Sequence, residues 1–154
     1  DAGPLQRDPV NIHQVLDRVM QLAKNGFGRH LRYLTNFDPS LPAVFGHRDQ
    51  LVQVFLNLIK NAAEAIEEGG HISISIHNEQ AHTTIEVADD GKGMDPSLKH
   101  RVFELFFTDK ITGTGLGLPI VGKIVDAHGG SVDLNTRPGR GTQFIIFLPR
   151  EDRT

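Results

Sequence analysis

The chain has 154 residues, the size of one domain able to bury about 68–70% of its unfolded surface without a staple. Hydrophobic residues make up 38% and charged residues 23%, an ordinary soluble composition. The absence of cysteine excludes disulfides, thiolate zinc sites, iron–sulfur clusters and a cysteine nucleophile, and fits a reducing compartment. A formal net charge of -3 without a basic block argues against nucleic acid as a partner, and no apolar run approaches the ~18 residues of a membrane span.

Pro9 to Lys24 carries apolar residues at helical spacing and closes on Asn25-Gly26. Leu31 to Phe37 reads as a strand, ended by the two-proline turn Asp38-Pro39-Ser40-Leu41-Pro42. Gln50 to Glu67 is the clearest helix: Leu51, Val54, Phe55, Leu58, Ile59, Ala62, Ala65 and Ile66 recur at three and four. His71 to Ile76 alternates with period two, a connection at His77 to Gln80 follows, and Thr83 to Ala88 is a second strand. Asp89 to Met94 is turn-like, with a short helical piece over Pro96 to Glu104. Gly113 to Gly117 opens an apolar helix through Val125, which His128-Gly129-Gly130 closes. Ser131 to Asn135 and Thr142 to Leu148 pair across the turn Arg137-Pro138-Gly139. This order predicts a two-layer α/β sandwich, one mixed sheet covered by helices on one face. Residues 1–154 form a single domain with no internal repeat, and the start at Asp1 reads as a cut from a longer protein.

Three segments could carry chemistry. Asn57 and Asn61 lie one turn apart, hence ~40° apart around the axis, at the edge of the apolar stripe with Glu64 beside them. They are either edge amides bonded to backbone or water, or hard oxygen ligands facing a Mg²⁺-bound phosphate chain. Asp89-Asp90-Gly91-Lys92-Gly93 is either a plain turn or a carboxylate that accepts from an exocyclic amine, with glycines admitting a flat base. Gly113-Thr114-Gly115-Leu116-Gly117-Leu118 feeds a helix, either as a flexible lead-in or as a phosphate cradle. Gly117 to Lys123 has P-loop spacing, but Ile124 stands where Ser or Thr must bind Mg²⁺. Leu118 likewise occupies the third glycine of a dinucleotide fingerprint. The eight histidines make no pair on one helical face, although His71 and His82 could meet across strands.

The three motifs, in this order, resemble the N, G1 and G2 boxes of the GHKL ATPases, and specifically the catalytic ATP-binding domain of bacterial sensor histidine kinases. Arg101 to Phe107, His128-Gly129-Gly130, Gly139-Arg140-Gly141-Thr142, Phe144 and Phe147-Leu148-Pro149 match too, so the resemblance spans Pro9 to Pro149. Pro9 to His13, Asp38 to Pro42 and Asn61 to Ala65 are similar to the nitrogen-regulation kinases of NtrB type. The resemblance implies the Bergerat fold, with MgATP as cofactor and ADP as product. Asp89 would read the adenine amine with Thr142 nearby. Asn61 would bind Mg²⁺ and Asn57 would lie beside the phosphates. Gly113, Gly115 and Gly117 would cradle the phosphates, with Thr114, Leu116 and Leu118 in the same loop, and Gly91 and Gly93 would join Asp89 in the nucleotide contacts. Phe106 and Phe107 would anchor the lid.

Departures from the family pattern are Glu64 and Thr108, where many members carry basic residues, which leaves Lys110 as the nearest lid cation. His47 stands where aspartate often caps the helix. No histidine is followed by an acidic residue in the phosphoacceptor pattern, so the resemblance places the acceptor helices upstream. Hydrolysing relatives carry Glu at the position of Asn57, which favours transfer to protein. The implied partners are the chain's own dimerisation/phosphoacceptor domain, a cognate response regulator and a PII-type signalling protein. The implied setting is the cytoplasm, with the isolated domain monomeric. The rival readings are a GHKL ATPase and a nucleotide-gated interaction module without kinase activity.

Overall fold

A computed structural model describes residues 7–40, 43–66, 69–98, 101 and 117–150. The elements are β1 (Asp8–Val10), α1 (Ile12–Lys24), β2 (Arg32–Phe37), β3 (Val44–Gly46), α2 (Arg48–Ala65), β4 (His71–Asn78) and β5 (His82–Asp89). A 3-10 turn (Pro96–Leu98), α3 (Gly117–Ala127), β6 (Ser131–Arg137) and β7 (Gly141–Pro149) follow. The main sheet runs β2-β4-β5-β7-β6; β2 is parallel to β4 and every other pair is antiparallel. The two-layer sandwich read from the sequence is the fold found.

The helices form for the reasons their sequences give. Asn11 caps α1, its side chain accepting from the Gln14 N–H at 3.2 Å, and the Val15, Leu16 and Val19 stripe is fully buried. His47 caps α2 through Nδ1, which accepts from the Gln50 N–H at 3.3 Å. Leu51, Val54, Phe55, Leu58 and Ile59 of α2 are wholly inaccessible. Helix α2 packs between α1 and α3 and lies over β5.

Two boundaries differ from the sequence reading. Helix α1 starts at Ile12, because Pro9 and Val10 belong to β1, which pairs antiparallel with β3. Helix α2 starts at Arg48, two residues before the apolar repeat becomes legible. Of the helical piece expected over Pro96 to Glu104, the described residues show only the 3-10 turn.

Residues directly opposite on paired strands share a face, so the register can be read in rows. Ile76–Ile85–Ile146–Val132 and Ile74–Val87–Phe144–Leu134 are apolar rows beneath the helices. The next row, Ile72–Asp89–Thr142–Thr136, turns polar. The covered face is therefore greasy along most of its length and carries hydrogen-bonding groups at one end.

Candidate nucleotide site

Asp89 is the last residue of β5, half-buried on the covered face. Its Oδ1 accepts the Gly91 N–H at 2.9 Å, an Asx-type turn that fixes the carboxylate at the sheet end. The Lys92 N–H donates to the Ala65 carbonyl at 3.0 Å, so the loop is tied to the C-terminal end of α2. This changes the reason for the glycines. A Cβ at Gly91 would come 2.4 Å from the Ala65 oxygen. One at Gly93, whose φ is +64°, would come 1.9 Å from the Arg137 oxygen. At both positions protein backbone fills the space that a Cβ would need.

Thr142, 5% exposed, faces Asp89 across the β5–β7 ladder. Its hydroxyl lies 2.9 Å from that of Thr136, which accepts the Met94 N–H at 3.0 Å and donates to the Gly141 carbonyl at 3.2 Å. The Gly139 N–H donates to the Lys92 carbonyl at 2.7 Å, so the β6–β7 turn is stitched to the Asp89 loop. Gly141 has φ +82°, and a Cβ there would meet the Asp89 oxygen at 2.0 Å. Thr136 is a position the sequence reading missed; only the cross-strand register reveals it.

Asn57 and Asn61 are both half-buried at the edge of the α2 stripe, and Glu64 is exposed. Asn57 Nδ2 lies 3.5 Å from the Gly117 carbonyl, at the outer limit of a hydrogen bond, so Asn57 sits against the first residue of α3. Leu118 packs partly buried on the core, and Pro119 is buried in the first turn. The expectations for Phe106, Phe107, Lys110, Gly113, Thr114, Gly115 and Leu116 lie outside the described residues.

His71 and His82 do not meet. His71 faces Asp90 at one end of the sheet, and His82 pairs with Pro149 at the other. Among the described residues no group of three or more His, Cys, Asp or Glu could hold a metal. Two amide oxygens one helical turn apart suit a hard cation that keeps its waters and takes its remaining ligands from phosphates.

A carboxylate and hydroxyls at the polar end of the sheet, amides on α2 and the N-terminus of α3 together offer an acceptor for a base and donors for phosphates. Residues 46–152 match the sequence profile of the histidine kinase-, DNA gyrase B- and HSP90-like ATPases. The chain belongs to this family. Within it, it is a protein-histidine kinase catalytic domain with the ATP-binding GHKL fold. It is 44% identical over 167 residues to the sensory histidine kinase/phosphatase NtrB of Azospirillum brasilense, covering 99% of this chain and 42% of that protein. It is likewise 44% identical to NtrB of Rhizobium meliloti, covering 97% and 43%. The chain thus spans less than half the length of these relatives.

Among solved structures, the catalytic domain of the histidine kinase ThkA superposes with TM-score 0.86 at 30% identity, covering 95% of this chain and 97% of that one. The mycobacterial sensor histidine kinase MprB superposes with TM-score 0.85 at 28% identity, covering 94% and 97%. No helix among the described residues of this kinase domain is long and apolar enough to cross a membrane.

Proposed function

We propose that this domain binds MgATP at the polar end of its sheet and supplies the γ-phosphoryl group to a histidine on a separate dimerisation domain. The observation that carries the reading is the row Asp89–Thr142–Thr136 on the covered face, whose loop is tied through the Lys92 N–H to the end of α2, the helix that carries Asn57 and Asn61. Asp89 accepts from the adenine amine, and Thr142 supplies a hydroxyl next to it. Asn61 presents its oxygen to Mg²⁺, and Asn57 and the first turn of α3 present N–H groups to the phosphates. The loop Gly113 to Leu116 and Lys110 complete the phosphate contacts. Mg²⁺ supplies charge neutralisation on the phosphate chain; the protein's part is positioning. In the transfer the bond from the γ-phosphorus to the β–γ bridging oxygen breaks, an imidazole nitrogen bonds to phosphorus, and ADP leaves.

The named relatives support a place in a two-component system, with a response regulator as the next phosphoryl acceptor. Their NtrB names support nitrogen regulation; a cytoplasmic setting and a PII-type protein as regulator belong to the same proposal. The test is a single-turnover assay with radiolabelled ATP and a separately supplied NtrB dimerisation domain. Acid-labile, base-stable label on that domain is expected. Binding of ATP with no transfer would leave a nucleotide-gated module as the reading, and release of inorganic phosphate in its place would leave an ATPase.

A further inference from the structure

Asp90 follows the residue proposed to read adenine and lies just beyond the end of β5, exposed. Its carboxylate is taken up by one residue. Oδ1 accepts the His71 backbone N–H at 2.9 Å, and Oδ2 lies 3.0 Å from His71 Nδ1. The Asp90 N–H in turn donates to the His71 carbonyl at 3.3 Å. A carboxylate only accepts, so Nδ1 carries the proton. Burial opposes ionisation of Asp90, and the bonds from the His71 N–H and ring outweigh it, holding the carboxyl below its ordinary value. The side chains are 52% and 44% exposed, and an exposed pair of this kind contributes little to global stability. Its geometry does something else. It fixes the peptide unit after Asp89, while the Gly91 N–H holds the Asp89 carboxylate.

We infer that the Asp90–His71 clamp is a positioning device for base selectivity: it aims the Asp89 carboxylate at the exocyclic amine without touching the nucleotide. This rests on the adenine-reading role of Asp89 proposed above. ADP and IDP separate the two, because IDP carries a carbonyl where adenine carries the amine and shares everything else the phosphate side can grip.

The experiment is calorimetric titration of the chain and two variants with ADP and with IDP. Wild type is expected to prefer ADP at least tenfold. Asp90→Ala removes both contacts and is expected to cut that preference threefold or more, with IDP affinity held within twofold. Asp90→Asn is expected to stay within twofold of wild type, because the amide oxygen still accepts the His71 N–H and the imidazole can change tautomer to accept from the amide nitrogen. A smaller loss in Asp90→Ala, an equal loss for both nucleotides, or an Asp90→Asn as impaired as the alanine variant would each overturn the clamp. A wild type that does not prefer ADP would overturn the adenine reading itself, and the clamp with it.

Discussion

Asp89→Asn is the most informative single change, because it separates the turn contact of Asp89 from the adenine contact proposed for it. Its Oδ1 closes the turn by accepting the Gly91 N–H at 2.9 Å. Asparagine keeps an oxygen there, so the loop, its tie to Ala65 and its stitch to Gly139 should survive. The second oxygen becomes an NH₂ group, which would present a donor to the donor on adenine. A hydrogen bond to a charged group contributes about 1.5–3 kcal/mol, so ADP binding should weaken roughly 10- to 150-fold. The same amide can donate to the carbonyl of IDP, so the variant should prefer IDP over ADP, reversing wild type. The assay is calorimetry with both nucleotides, with thermal melting as the fold control. A change in ADP affinity below twofold, at an unchanged melting temperature, would show that Asp89 is only a turn residue.

Asn61→Ala should cut phosphoryl transfer at least tenfold in a single-turnover assay while leaving a folded domain, since alanine favours the helix by up to ~0.7 kcal/mol. Gly93→Ala should destabilise more than Gly139→Ala in urea melts: both positions have positive φ, costing about 1–3 kcal/mol of strain, but only Gly93 also has a backbone oxygen 1.9 Å from the new Cβ. His128 is 3% exposed; its Nε2 accepts the His47 N–H at 3.0 Å and its Nδ1–H donates to the Ile124 carbonyl at 2.8 Å. Burial pushes its pKa down, with the Arg7 and His47 charges adding to this against the Ile124 bond. Its unfolded form takes a proton near pH 6.5 that the folded form refuses. The contribution of neutral His128 is therefore complete above that pH and is lost as pH falls toward the lower folded value. Urea midpoints should drop between pH 8 and pH 5.5 more for wild type than for His128→Gln.

The sequence was most legible where a period repeats long enough to be counted. The α2 stripe from Leu51 to Ala62 and the alternation of Ile72, Ile74 and Ile76 each fix a face, and with it the side of the sheet that helices cover. Strands β1 and β3 are three residues each, too short to show any period, and Pro9 inside β1 looks like a helix entry. The candidate site was legible as residue types but not as reasons. Asp89 and Thr142 do face one another. The glycines beside them answer to the backbone of Ala65, Arg137 and Asp89, and distance along the chain hides those neighbours. Nor does composition show that Asp90 reaches back 19 residues to His71.

Helix α3 is held very differently at its two ends. At its C-terminus, His128 bridges Ile124 and the start of α2, the Arg7 guanidinium donates to the Ala127 carbonyl, and Gly46 leaves no room for a Cβ beside the imidazole. At its N-terminus, among the described residues, an Asn57 amide contact of 3.5 Å ties Gly117 to α2. The helix is 11 residues long, about 16 Å, so it behaves as a lever with its fulcrum at His128. A tilt of ~4° about that point carries the first turn through ~1 Å, by the same rise per residue, which is the whole difference between a hydrogen bond and none. Whatever grips the first turn of α3 therefore works at the long arm of the lever, while Val125, three residues from the fulcrum, moves roughly a quarter as far.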